Sequence, residues 1–592
     1  MNKISCPDPS MRVLVANRGE IARRVIRTLN EWGVESVAVY ADPDATAPHV
    51  AEATMAERIG PAALAESYLS VEAILAAAAR SKATHVHPGY GFLSERTDFA
   101  RAVVDSGLVW IGPSPDAVAS MGSKIEARKV AGDSLVPIVP GFNESQDAEA
   151  LRAAADEIGY PILVKASAGG GGKGIRIATA AEHFDHALDE ARSEAMRSFG
   201  DDDVIVERYI TRPRHIEVQI AADKHGNIID LGTRECSVQR RYQKLIEEAP
   251  APNLDPVVAA SMRSSAITMA TAIRYDSVGT VEFILDATSN EYFFLEMNTR
   301  IQVEHTVTEE VTGVDVIAVQ IASACGEQLT LDADHFDTTA LERPSHAIEV
   351  RVNAEDAWNG HLPQTGTVQH LDVPHGAHIR WDAAIIGGSE ISPFYDSMIG
   401  KLIVSGTNRL DALSGLTAAL EQLDVRPLTT NIDFHRWLIG QREFRAGQIT
   451  TRFLDETPLP RESPFSGPTP TSPWKDRTGQ RLTPHRSEYA FDSQSRDGQW
   501  HHASASGEAG EHALSPFPGL ITDILVEVGD SIEAGQTLMT IEAMKMLHPI
   551  TVAGPTTIAG VEVIPGQQVE TAHVLLTFAP LPETATRESD ET

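Results

Sequence analysis

Hydrophobic residues follow two different patterns along this chain. In the first, continuous apolar runs alternate with amphipathic stretches. "MRVLVA" from Met11 is a buried-strand run. "RGEIARRVIRTLNEWG" follows, with Ile21, Val25 and Leu29 on one helical face and Gly33 as the stop. "VESVAVYA" is a second strand, so the start predicts a βαβ unit and a parallel sheet. The alternation runs to about residue 455. In the second pattern, from 516 to 579, short Val/Ile/Leu runs are broken by Gly and Pro, which predicts a small all-β domain.

That second region repeats itself. "GLITDILVEVGDSIEAGQTLMTI" (519–541) and "GPTTIAGVEVIPGQQVETAHVLLTF" (554–578) align. Gly529 and Gly566 mark equivalent turns, Ile532 and Val569 follow three residues on, and Leu538 matches Leu575. The two halves predict a sandwich with internal two-fold symmetry. "EAMKM" (542–546) falls between them, so Lys545 is expected at a hairpin tip, held in solvent by strands on both sides. An ordinary solvated turn lysine explains Lys545 but not the flanking Met544 and Met546. Between the two regions, "TPLPRESPFSGPTPTSPW" (457–474) reads as a linker, a short hairpin is expected at 488–503, and 504–515 reads as flexible.

The 592 residues suffice for several domains. No apolar run approaches the roughly 20 residues that span a bilayer, and "MNKISCPDPS" lacks the apolar core of a secretory signal. Cys6, Cys236 and Cys325 form neither a disulfide framework nor a zinc site, which points to a reducing cytoplasm. The net charge of −34 disfavours nucleic acid and anionic membranes as partners. Against it, basic residues around a glycine-rich loop suggest a local anion pocket.

That loop is "KASAGGGGKG" (165–174). Glycines let backbone N–H groups approach phosphate, but Lys173 is followed by Gly174, so the Walker pattern fails; alone the run could be a flexible loop. "ANRGEIA" has only Gly19, so a dinucleotide fingerprint is missing too. Further on, "GTVEFILD" and "YFFLEMNTRIQVEH" are strand-like runs interrupted by Glu282, Glu296 and Asn298, whose oxygens suit Mg2+ or Mn2+. Read as extended chain, Arg300, Gln302 and Glu304 share one face. A cation, an amide and a carboxylate there suit a small oxyanion and a proton transfer; a salt-bridged edge strand is the plainer alternative.

"EAMKM" within such a half-repeat resembles the biotinyl-carrier domain of biotin-dependent carboxylases; related lipoyl domains usually place Asp-Lys-Ala at the tip. Residues 11–455 resemble biotin carboxylase of the ATP-grasp superfamily through "VANRGEIA", "HPGYGFLSE", "GGGGKGIR", "RRYQKLIEEAPAP", "EMNTRIQVEHTVTE" and "FYDSMIGKLIV". The resemblance implies an α/β and α+β multidomain protein. It has a Rossmann-like N-terminal domain (11–123), an ATP-grasp domain (124–340) and a C-terminal domain (341–455). A linker (456–515), an all-β biotinyl sandwich (516–579) and an acidic tail (580–592) follow.

The same resemblance implies roles. Lys124 and Lys165 contact phosphates, Gly171 and Gly172 belong to a mobile lid, and Glu207, Tyr209, Ile210 and His215 hold the nucleotide. Glu282, Glu296 and Asn298 bind Mg2+ or Mn2+. Arg300, Gln302, the backbone of Val303 and Lys244 hold bicarbonate, which Glu304 deprotonates for attack on the γ-phosphate of ATP, giving carboxyphosphate. Arg351 stabilises the biotin enolate, Arg24, Tyr90 and Gly91 complete the biotin pocket, and Lys545 carries the biotin. Tyr242 stands where many bacterial biotin carboxylases have histidine, so no imidazole role carries over.

The implied protein is a cytoplasmic α-subunit of an acyl-CoA carboxylase of acetyl- or propionyl-CoA type, serving fatty acid biosynthesis. Its expected partners are a separate carboxyltransferase β-subunit, a biotin protein ligase and a second copy through the carboxylase part. The linker is expected to let the carrier swing between two active sites. Other ATP-grasp ligases, such as those of carbamoyl-phosphate synthesis, lack the biotinyl domain, and a degenerate scaffold would not keep these charged residues.

Overall fold

The computed structural model describes residues 4–167, 174–330, 344–465, 512–543, 546–552, 554–570 and 572–579. The expected βαβ start is present. Strand Arg12–Val15 leads into helix Gly19–Trp32, and strand Glu35–Ala41 pairs with the first in parallel. Gly33 closes the helix at φ 70°, a left-handed angle that favours glycine, and donates to the carbonyls of Asn30 and Leu29. With Met55–Gly60, His85–His87 and Val109–Trp110 these strands form a five-stranded parallel sheet.

An antiparallel eight-stranded sheet carries most of the chemistry. Its order is Tyr292–Asn298, Val278–Asp286, Pro213–Ala222, Ile228–Arg240, Gln243–Ala249, His346–Asn353, Met398–Gly406 and Ile379–Ala383. The sheet takes strands from both sides of the expected domain boundary, because Gln243–Ala249 pairs antiparallel with His346–Asn353. A smaller four-stranded sheet, Gly141–Phe142, Val204–Arg208, Ile162–Ala166 and Ile175–Ala178, brings Lys165 and Glu207 onto neighbouring strands. Among the described residues no helix is long and apolar enough to cross a membrane.

Residues 512–579 form two four-stranded sheets, each built from both sequence halves. Gly529 N–H donates to the Ile558 carbonyl and Gly566 N–H to the Ile521 carbonyl, both at 2.8 Å, so each half's turn is tied to the other half's first strand. Leu538 and Leu575 are fully buried in the shared core. One difference is that His512–Leu514, expected as flexible chain, is a strand paired with Val574–Phe578. Ala513 is buried there, a contact that local composition does not reveal. Strands Thr537–Ala543 and Met546–Thr551 are antiparallel neighbours with Ala543 opposite Met546. Residues 544 and 545 connect them; Lys545 and the expected hairpin at 488–503 lie outside the described residues.

Candidate active site

A cavity of about 840 Å3 opens between the parallel sheet, the small sheet and the eight-stranded sheet. Of the expected site residues, Lys124, Lys165, Glu207, Tyr209, Ile210, His215, Lys244, Glu282, Glu296, Asn298, Arg300, Gln302, Val303, Glu304, Arg351, Tyr90 and Gly91 all line it. Gly171 and Gly172 lie outside the described residues.

Lys244 is the hub. Its ammonium donates to Glu217, to Glu282 Oε1 at 2.9 Å and to Glu304 Oε1 at 2.7 Å. Burial alone would discharge this lysine, but the three carboxylates raise its pKa well above the ordinary value. Burial likewise pushes Glu304 up, yet Lys244, Arg351 and Arg234 outweigh it and hold Glu304 well below the usual carboxylate range. Glu304 is therefore an ionised acceptor at neutral pH, with Arg351 Nη2 3.0 Å from its Oε2.

Glu282 and Glu296 sit opposite each other on adjacent strands. Glu282 Oε1 accepts from Asn298 at 2.9 Å and Gln302 at 2.7 Å, and His215 Nε2 lies 2.9 Å from Oε2. Burial raises Glu282, but Lys244 and His215 outweigh it and hold the carboxyl far down. Burial and the neighbouring Glu282 charge instead raise Glu296. Two facing carboxylates and an amide oxygen, with one carboxylate under repulsion, fit a hard divalent cation. Of the two lysines expected at the phosphates, Lys165 lies 2.7 Å from Glu207 Oε2, and Lys124 opens helix Lys124–Asp133, where the helix dipole favours anions.

Two expectations are corrected. Arg24 does not line the cavity. It is buried one helical turn beyond Glu20 and bound to Glu309 at 2.7 Å and Asp315 at 2.8 Å, so it is a structural cation. Residues 299–304 are not an edge strand: strand Tyr292–Asn298 ends and a turn leads into helix His305–Thr312. Arg300, Gln302 and Glu304 still reach the cavity. Arg300 binds Glu95 at 2.9 Å and Asn298 at 2.6 Å, and Gln302 Oε1 takes Arg234 Nη2 at 2.5 Å. Tyr242 sits at φ 66° beside Arg241 at φ 49°, in the two-residue turn between strands Ile228–Arg240 and Gln243–Ala249, and the residue is 57 % exposed at the cavity wall.

The sequence reading missed Glu217, Arg234 and Lys401. Arg234 is fully buried and joins Glu217, Gln219, Thr280, Thr308 and Gln302. Lys401, also fully buried, donates to the Val303 carbonyl at 2.6 Å. The only sequence signal was charge inside apolar strand runs, the same signal that exposed Glu282.

Four family models match the chain. They are "Biotin carboxylase, N-terminal domain" over residues 9–118, "Carbamoyl-phosphate synthase L chain, ATP binding domain" over 123–332, "Biotin carboxylase C-terminal domain" over 349–456 and "Biotin-requiring enzyme" over 507–578. Biotin carboxylase 2 of Bacillus subtilis is 45 % identical over 75 % of this chain and 99 % of its own length. The biotin-dependent acyl-coenzyme A carboxylase alpha3 subunit of Mycobacterium leprae is 40 % identical over 90 % of this chain and 93 % of its own.

The mitochondrial methylcrotonoyl-CoA carboxylase subunit alpha of Glycine max is 46 % identical over 75 % of this chain, but the match spans only 60 % of that protein. The biotin carboxylase domain of Hydrogenobacter thermophilus 2-oxoglutarate carboxylase, solved with MgADP and bicarbonate, superposes with a TM-score of 0.72 at 43 % identity, covering 76 % of this chain and 98 % of that one. Fold and site together define a biotin carboxylase fold with an ATP-grasp domain, joined to a small all-β domain of the biotinyl type. The chain belongs to the biotin carboxylase family.

Proposed function

We propose that the chain carboxylates biotin held on its own carrier domain, using ATP and bicarbonate, as the α-subunit of an acyl-CoA carboxylase. The observation that carries this is the meeting of Lys244, Glu304 and Arg351 beside a carboxylate pair suited to a metal ion. Lys244, Arg300 and Gln302 hold bicarbonate by charge and hydrogen bonds. Ionised Glu304 takes its proton, and the freed oxygen attacks the γ-phosphate of ATP, with ADP leaving. Lys124 and Lys165 neutralise the phosphates, and Glu282, Glu296 and Asn298 hold Mg2+ or Mn2+. The carboxyphosphate so formed breaks to CO2 and phosphate, and biotin, if attached at Lys545, would supply the ureido nitrogen that bonds to the CO2, its proton passing to the departing phosphate. Arg351 would stabilise the charge developing on the ureido oxygen, and Tyr90, braced by its hydrogen bond to Glu20, lines the same cavity.

Acceptor and partners rest on the relatives. The match to the mycobacterial acyl-coenzyme A carboxylase subunit runs nearly end to end, whereas the methylcrotonoyl-CoA relatives extend well beyond the matched region. The reading favoured is a separate carboxyltransferase chain with acetyl- or propionyl-CoA as acceptor, and methylcrotonoyl-CoA is the second reading because of the higher identity of those subunits. A biotin protein ligase and a second copy of the carboxylase part are the further partners. Capturing the native complex on streptavidin and assaying it with all three acyl-CoAs tests this. Retention of a carboxyltransferase active on acetyl- or propionyl-CoA supports the reading; no retention despite an active ligase contradicts it.

A further inference from the structure

We propose that Glu247 and Glu349 hold one proton between them and so set the charge that Arg351 meets from behind, which makes them positioning residues for the biotin step. The two lie directly opposite each other on antiparallel strands, and both are wholly buried. Each has one satisfied oxygen. Glu247 Oε1 takes Arg351 at 2.5–2.6 Å, and Glu349 Oε2 accepts from Thr306. The other oxygens, Glu247 Oε2 and Glu349 Oε1, have no hydrogen-bond partner among the described residues.

Side chains so placed have Cβ atoms about 4.5–5.5 Å apart, within reach of a carboxyl-to-carboxylate hydrogen bond. Two buried anions at that spacing repel, and a buried acceptor without a donor is costly. One shared proton removes both costs by making one orphan oxygen the donor to the other.

Charges of both signs face the pair. Arg351 stands on the strand of Glu349, and Lys401 lies opposite Arg351 on the next strand. Lys401 is committed to the Val303 carbonyl at 2.6 Å and lies 3.5 Å from Glu20. Glu304 faces the pair from the helix start, and Lys244 and the un-ionised Cys236 thiol face Glu247 from the neighbouring strands. Burial, opposed by Arg351, brings Glu247 up to about 8. Burial, opposed by Lys401, brings Glu349 up to about 7. The pair therefore titrates as a unit around neutrality. A second negative charge then draws the guanidinium of Arg351 onto the strands and away from the ligand, and activity falls on the alkaline side.

This inference rests on the biotin carboxylase reading, and two measurements on the full-length chain separate their failures. The first is an infrared titration from about pH 6 to about 9, the range in which coupled carboxylates near neutrality lose their shared proton. A protonated-carboxyl carbonyl band that fades with rising pH and is missing from Glu349→Gln is expected; its absence from the wild type overturns the proposal whether or not the chain is active. The second is the pH profile of biotin-dependent ADP release. Glu349→Gln is expected to move the alkaline limb up by about one unit or more, the scale on which neighbouring carboxylates shift one another, while Glu349→Asp keeps the limb. An unmoved limb in Glu349→Gln overturns the proposal.

Discussion

Lys244 Nζ lies 2.7 Å from Glu304 Oε1, a contact between residues 60 positions apart that joins the middle of the large sheet to the start of a helix. It keeps the carboxylate ionised and in place. Lys244→Met leaves Glu217, Glu282 and Glu304 without their common cation. Bicarbonate-dependent ATP cleavage is expected to fall by about 100-fold or more. Removing one partner of a buried ionic cluster also destabilises by about 3–5 kcal/mol, visible as a lower denaturation midpoint. Turnover near wild type would contradict the role of Lys244.

The facing pair Glu282 and Glu296 predicts a metal requirement with a readout independent of turnover. Mg2+ or Mn2+ binding to the folded state raises the melting temperature in wild type. In Glu296→Gln the same titration is expected to give a much smaller rise, and chelation is expected to abolish ADP release only in proteins that bind the metal. Equal thermal shifts in both proteins would place the metal elsewhere.

Tyr242 contributes a ring face at the cavity wall, and its hydroxyl makes no hydrogen bond among the described residues. Tyr242→Phe is expected to leave kcat and KM for ATP unchanged. Tyr242→Gly is expected to raise KM for ATP several-fold while stabilising the turn by about 1 kcal/mol, because a side chain at a left-handed angle is strained. A large loss in Tyr242→Phe would give the hydroxyl a role.

Four buried histidines predict the acid side of the stability curve. Burial holds His49 and His435 at about 4, and His87 and His305 at about 3, against an ordinary value of 6.5. Each is neutral in the fold, so between these values the unfolded chain binds more protons. Their stabilisation is complete above pH 6.5 and is lost as pH falls through 4 toward 3. Melting temperature is expected to drop across that window; a flat curve would mean these rings are protonated in the fold.

The sequence reading succeeded where one element explains a residue. The βαβ start, the carboxylates within strands and the two-fold repeat of the carrier are local periodicities. It failed where long-range contacts decide. "NTRIQVEH" alternates like a strand, but Arg234 and Glu282 grip Gln302 and the chain turns into a helix. Arg24 lies in a motif that reaches the cavity, yet its partners Glu309 and Asp315 are almost 300 residues away in sequence. Glu247 and Glu349 belong to strands whose pairing no local pattern announces.

The central claim is that this cavity activates bicarbonate with ATP for transfer to biotin. Its most direct test is ADP release by the purified chain, with and without bicarbonate and free biotin, in wild type and Arg351→Ala. The account predicts release that requires bicarbonate and is stimulated by biotin, with the biotin stimulation lost in Arg351→Ala. ADP release that is indifferent to bicarbonate, or full biotin stimulation without Arg351, would contradict it.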